Sequence, residues 1–300
     1  MGQPIPIHPK QKLGDIVAKV LMILPGQDFD PSEAAITWQM VTDAGHEVIF
    51  ATPAGEPANA DPLMLSGEGL DIWGSIPILR KLILVGNILR ANKGARTAYA
   101  KMEADTNFQK PIKWEAATAD DFDALFVPGG HQAKGMCEFL ESKILQALIV
   151  GFFNTNKPVG SVCHGPLLIA RAIDSATGKS VLFERKSTAL TWQLEKAAAS
   201  LGKIVRFWDP NYYRTYPETA GQNYGDNSTQ AEITRLIGGA EYFVDVSKTD
   251  PDYKLKTNGI TRDTESNQKC SFVVQDGKYV SARWPGDIHA LGKAFIALLN

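Results

Sequence analysis

Cys163 is the residue of this chain best placed for covalent chemistry. Residues 158–162 read as a short buried strand and residues 166–173, almost wholly apolar, as a buried helix, which puts Cys163 on the turn between them. A side chain there projects from the carboxyl end of a sheet. The following helix aims free amides and its positive dipole end at it, which favours thiolate over thiol. Ser161 and Gly165, two residues to either side, are small enough for the sharp turn of a nucleophile elbow. A cysteine without such a setting behaves as a small hydrophobe, and Cys137 and Cys270 are read that way.

A carboxyl group and a glycine pair accompany it. Asp30-Pro31-Ser32-Glu33 opens a helix after the first expected strand. Glu33 has two readings of equal standing. It either reaches back to the amide of residue 30 as half of a capping box, or belongs to the carboxyl-end rim where open α/β sheets gather ligand groups. Pro128-Gly129-Gly130-His131 follows another strand, and adjacent glycines there let backbone amides approach a bound oxygen, as an oxyanion hole requires. No Gly-x-Gly-x-x-Gly or Gly-Lys-Ser loop follows a strand, so nucleotide chemistry lacks its usual handles.

Positioning these groups takes a parallel sheet. Residues 16–25 form a nearly continuous apolar run suited to a central strand. A helix with Ala34, Ala35, Trp38, Met40 and Val41 inward closes at Gly45, and 46–52 is the next strand. With strands at 122–127 and 158–162 and a helix over 136–153 that turns Phe139, Leu140, Ile144 and Leu148 inward, this predicts an α/β fold. Its sheet is doubly wound and mostly parallel, with helices on both faces. Further on, 186–191 and 204–207 read as strands, 192–201 as a helix, and Asp287 as the cap of a last helix, with His289 near the same rim. Two stretches interrupt the pattern. Residues 53–121 include an apolar, basic-edged helix at 76–90, and 208–269 hold Trp208, Tyr212, Tyr213, Tyr216 and Tyr224. The expected organisation is an N-terminal arm over 1–15 and a single domain over 16–300 carrying both stretches as helical and irregular insertions.

Composition narrows the function classes. A chain of 300 residues, 44% hydrophobic, buries a substantial core, and a net charge of -2 with both signs interspersed gives no footprint for nucleic acid. Three scattered cysteines form neither a disulfide framework nor a zinc spacing, and an accessible thiol suits a reducing, cytoplasmic setting. No metal is expected. The 76–90 segment is too short and too charged to span a bilayer, so stable membrane insertion is not expected either.

These motifs, in this order, resemble the DJ-1/PfpI superfamily: Glu33, Ala44-Gly45-His46, Ala51-Thr52-Pro53, Phe122-Asp123-Ala124, Pro128-Gly129-Gly130-His131 and Val162-Cys163-His164-Gly165-Pro166. The chain is more similar to the larger, Hsp31-type cofactor-free glyoxalases than to the minimal members. The resemblance implies a flavodoxin-like sandwich, with Cys163 as nucleophile, Glu33 as a protonated carboxyl that shuttles protons, and His164 as the adjacent base or polar partner. It further implies an oxyanion hole from the amides of Gly130 and His164. Gly129, His131, Trp192 and Tyr216 are candidates for the substrate pocket. Glu184, Glu195 and Asp226 are nominated for a carboxylate that would orient the histidine. The implied reaction is the cofactor-free conversion of a small 2-oxoaldehyde to a 2-hydroxy acid, with a homodimer as a candidate assembly. A stress-related holdase or redox sensor built on an oxidisable Cys163 is the alternative, alongside a hydratase or amidase of another small substrate. Should the 208–269 aromatics close over the rim, larger and more apolar carbonyls would be preferred.

Overall fold

Alternating side chains in the first strand, β1 (Lys19–Ile23), assign the layers of the protein. Val20 and Met22 join one buried apolar layer, Leu21 and Ile23 the other, the two-sided burial that a central parallel strand requires. The computed structural model describes residues 17–300, and the arm expected over 1–15 lies outside the described residues. After β1 come β2 (Gln27–Phe29), α1 (Pro31–Asp43), β3 (Glu47–Thr52), β4 (Asn59–Ala60) and α2 (Pro62–Ser66). Next are α3 (Val85–Leu89), α4 (Lys93–Glu103), α5 (Thr106–Gln109) and β5 (Ile112–Lys113). The central part runs through β6 (Ala124–Val127), α6 (Ala133–Glu141), α7 (Lys143–Asn154), β7 (Val159–Val162) and α8 (Gly165–Ala170). A small pair, β8 (Ile173–Asp174) and β9 (Lys179–Ser180), precedes α9 (Trp192–Val205), α10 (Thr229–Leu236) and α11 (Tyr253–Thr257). The chain ends with β10 (Val273–Asp276), β11 (Tyr279–Ala282) and α12 (Ile288–Ala297).

Seven strands form the main sheet in the order β10-β11-β7-β6-β1-β3-β5, every neighbouring pair parallel except β10 with β11. The chain leaves β1 for β3 and β5 on one side, then returns to β6 and proceeds to β7 and β11 on the other. The topological switch point therefore lies between β1 and β6, where such sheets place their ligands. Helices α1, α4 and α12 cover one face and α6, α7, α8 and α10 the opposite face. This is the flavodoxin-like, doubly wound sandwich expected.

Several local expectations are overturned. The interrupting stretch 53–121 is not wholly outside the sheet, because β5 pairs with β3 at its edge. Residues 76–90 are not one helix. A 3-10 turn at Leu79–Lys81 and the short α3 replace it, and Gly86 in α3 packs so closely on Gly67 that a Cβ would overlap the Gly67 carbonyl. The 136–153 helix is two, α6 and α7, broken at Ser142, whose hydroxyl caps α7 at the Leu145 amide (3.3 Å); Ile144 falls on the exposed side of that new first turn. No strand forms at 186–191, where only an isolated bridge joins Ser187 to Phe243. The 204–207 strand is absent because α9 runs on to Val205, its missing Cβ at Gly202 admitting the Tyr213 ring. Asp287 makes no side-chain cap to α12; Asp263 takes that role, accepting from the amides of His289 (3.2 Å) and Ala290 (2.8 Å).

Candidate active site

The turns after β1, β6 and β7 meet at the switch point. After β7, Cys163 adopts a left-handed backbone with φ +62°, which costs a non-glycine residue about 1–2 kcal/mol. The turn is clamped on both sides: the Cys163 N–H donates to Ala282 O in β11 (3.2 Å) and its carbonyl accepts from Leu190 (3.0 Å). Ser161 Oγ donates to Val127 O at 2.9 Å, and a Cβ on Gly165 would lie 2.3 Å from that same carbonyl. The two small flanking residues thus let β6 and β7 close beneath the cysteine.

After β1, Asp30 caps α1, its Oδ1 accepting from the amides of Ser32 (2.7 Å) and Glu33 (3.1 Å). The capping box is not formed. The Asp30 N–H donates to Gly129 O (2.9 Å), and Glu33 Oε2 accepts the Gly129 N–H at 2.7 Å, so the carboxyl turns to the rim. Gly129 must be glycine for this, because a Cβ would sit 2.7 Å from His164 N and 2.9 Å from Cys163 Cβ. Glu33 is fully buried, its Oε1 has no well-aligned partner, and its carboxyl interacts with the Cys163 thiol. Burial, followed by the neighbouring charge of Asp30, holds its pKa well above the usual carboxyl range, which favours the protonated acid.

Cys163 departs from the expectation of a thiolate. Burial pushes the thiol up strongly, with the charges of Glu33 and Asp30 adding to it and the His164 N–H opposing. Helix α8 has only six residues and Cys163 is 6% exposed, so desolvation outweighs the dipole. Two negative charges in such contact cannot persist together, and the site favours a proton on each group.

His164 lies against the same sulfur. Its Nδ1 lies 3.4 Å from Cys163 Sγ and its Nε2 3.2 Å from Thr215 Oγ1. The Thr215 hydroxyl donates its one proton to the His131 carbonyl (2.8 Å) and therefore accepts from His164. This network assigns the hydrogen to Nε2 and leaves Nδ1 bare toward the sulfur. Burial first, then the nearby His131, Arg214 and Arg171, lower the His164 pKa to about 3. The partner of the histidine is thus a threonine, and none of the nominated carboxylates touches it. Glu184 is exposed, Asp226 accepts from the Asn223 amide (2.8 Å), and Glu195 pairs with Arg214 (3.3 Å) and the Thr229 amide (3.0 Å).

A cavity of about 420 Å³ opens over Cys163, lined also by Asp30, Gly130, His131, Tyr213 and Arg262. His131 is packed between the rings of Tyr212 and Tyr213, with centroids at 4.7 and 4.8 Å. Burial lowers its pKa to about 4, so it faces Asp61 (3.9 Å) as a neutral ring. The Gly130 N–H donates to none of the described residues, whereas the His164 N–H is engaged with the Cys163 sulfur. Trp192 and Tyr216 are not brought to this cavity. Trp192 packs on Tyr224 (4.8 Å) and lines a separate depression. The Tyr216 hydroxyl binds Arg171 and Glu141, both at 2.9 Å. Asp287 is equally remote in role: its carboxylate is committed to the buried Arg283 (2.8 Å). Thr215 and Arg262 escaped the sequence reading. Thr215 stood unnoticed among the tyrosines of 212–216, and nothing in the sequence near Arg262 signals a site. Among the described residues no group of three or more His, Cys, Asp or Glu is placed to hold a metal ion, and no helix is long and apolar enough to cross a membrane.

A doubly wound sheet with a cysteine on a strained strand-to-helix turn beside a buried acid defines a class of α/β proteins built around a nucleophile elbow. Residues 24–225 match the family described as ThiJ/PfpI family-like, and the chain belongs to that family, within the DJ-1/PfpI superfamily. It is 25% identical over 240 residues to an uncharacterized protein of Schizosaccharomyces pombe, covering 74% of this chain and 80% of that one. The glutathione-independent glyoxalase hsp3102 of the same organism is 34% identical over 86 residues, 28% of this chain and 35% of that protein. Among solved structures, glyoxalase III from Candida albicans superposes with a TM-score of 0.57 at 16% identity, over 94% of this chain and 98% of that one.

Proposed function

We propose that this protein is a cofactor-free enzyme that converts a 2-oxoaldehyde to the 2-hydroxy acid. The observation that carries the reading is the contact of the Cys163 thiol with two groups of opposite role, a proton-loaded Glu33 and the bare Nδ1 of His164 (3.4 Å), at the floor of an open cavity. The thiol adds to the aldehyde carbon as its proton passes to Nδ1. Glu33 protonates the resulting alkoxide to give the hemithioacetal, the Gly130 amide holding the oxygen. Now a carboxylate, Glu33 removes the hydrogen from that carbon and returns it to the neighbouring one, while the hydroxyl proton moves to the adjacent oxygen. A thioester remains, which water hydrolyses to the 2-hydroxy acid and the free thiol. One water is consumed and no electron leaves. The names of the glyoxalase relatives agree with this chemistry. Metal-stripped protein without glutathione should therefore consume methylglyoxal or a larger homologue and release the 2-hydroxy acid, and Cys163→Ala should abolish it. Turnover undiminished in Cys163→Ala would sink the reading.

A second reading is favoured by the surface at 72–88, where Ile72, Ile76, Ile78, Leu79, Leu82, Leu84 and Ile88 are all exposed, Ile78 by 88%. Apolar patches of this kind mark interaction sites, and a protein-protecting activity would use this one. In that case Ile78→Ser with Leu84→Ser should weaken suppression of a heat-denatured client's aggregation by several-fold while Cys163→Ala leaves it intact. Equal protection by the doubly substituted protein and the wild type would rule the surface out.

A further inference from the structure

The cavity over Cys163 is far larger than a three-carbon aldehyde needs. At roughly 30 Å³ for a water-sized group, the 420 Å³ cavity holds on the order of ten such groups, twice or more what methylglyoxal supplies. Its walls are also of the wrong kind for a small polar molecule. Leu194, Ala198 and Leu201 form a stripe along α9, spaced so that one helix face presents all of them. Val85, Ile88 and Leu89 of α3 line the same cavity from the 53–121 stretch. Ile88 and Ile260 are 60% and 66% exposed, which marks the apolar end as the mouth. The inner end is polar. There Arg262 is held by the Leu89 carbonyl (3.0 Å) and Ser32 Oγ (3.4 Å), and among the described residues no carboxylate lies within ion-pair distance of it. Asp30 and Glu33 act on it electrostatically from the same floor.

Resting on the proposed function, we propose that the preferred substrate is a 2-oxoaldehyde with an apolar tail of several carbons. The tail lies between the α3 and α9 stripes, the carbonyl head reaches Cys163, and Arg262 faces the oxygens that become the product carboxylate. Each methylene sequestered from water contributes roughly fourfold in affinity, and a cavity that discriminates by its walls shows this in kcat/KM.

The experiment measures kcat/KM for methylglyoxal, 2-oxohexanal and 2-oxooctanal with the full chain, and repeats it with Ala198→Trp, which fills the slot. The preference for 2-oxooctanal over methylglyoxal is expected to be at least tenfold and to collapse toward one in the variant. A second arm needs no turnover. Calorimetry on Cys163→Ala protein should find 2-hydroxyoctanoate bound at least tenfold tighter than lactate, and tighter than the neutral 1,2-octanediol. If methylglyoxal is consumed through Cys163 but the ratio is flat, the tail preference is overturned and the proposed reaction survives. If no carbonyl is consumed while 2-hydroxyoctanoate binds selectively, the reaction fails and the ligand class stands. Equal binding of lactate and 2-hydroxyoctanoate overturns it outright.

Discussion

The hydrogen that fixes the His164 tautomer is not its own: it is the Thr215 hydroxyl proton, spent on the His131 carbonyl, that obliges Nε2 to donate. A neutral, buried His164 with its pKa near 3 has a consequence for stability. Between pH 6.5, where an unfolded imidazole titrates, and about 3, the unfolded chain takes up a proton that the folded one does not. Stability is therefore intact above 6.5 and falls with acid by about 1.4 kcal/mol per pH unit for this group. His164→Gln should flatten the fall by one proton's worth, measured as the difference between variant and wild type in urea unfolding from pH 7 to 4.5. Identical slopes would mean that His164 charges within the fold. The elbow was readable at this scale, because Ser161, Cys163 and Gly165 declare a sharp turn by type and spacing alone. The protonation state was not, since it depends on the burial of the sulfur and on the charges of Glu33 and Asp30 beside it, residues far away in sequence.

Among the elements, α12 illustrates how a local rule fails. Asp287 stands where a cap is expected, yet it neutralises Arg283, which is 1% exposed, through two contacts of 2.8 and 3.0 Å, and burial raises its own pKa to about 6. The two roles differ in magnitude. Loss of a cap costs about 1 kcal/mol, whereas stranding a buried charge costs about 3–5 kcal/mol. Asp287→Ala is expected in the larger range by chemical denaturation, with part of the loss recovered when Arg283→Met is added. A loss near the smaller figure would restore the capping role. The strands β1, β3, β6 and β7 were legible because a parallel strand buried on both faces reads as a short, mostly apolar run. The misread strand at 204–207 looks the same in isolation; only the packing of Tyr213 against Gly202 carries α9 through it.

Across the whole molecule, two kinds of sequence build one cavity. The groups proposed to react come from segments that the sheet itself clamps: both polar backbone groups of Gly129 are tied to the start of α1, its N–H by Glu33 and its carbonyl by Asp30. Much of the wall comes from α3, α9 and the stretch around Ile260, none of which is a strand of the main sheet. That part was hardest to foresee, because periodicity places a segment on a helix without saying what it will face. On the proposed function, the arrangement separates the groups that react from the walls that decide what is admitted. A change that re-aims Glu33 must also release the Gly129 amide just beyond β6. A change at Ile88, Ala198 or Ile260 alters only what is admitted. Descendants of this chain could therefore exchange one substrate for another by drift in the wall alone, while the reaction they inherit stays the same.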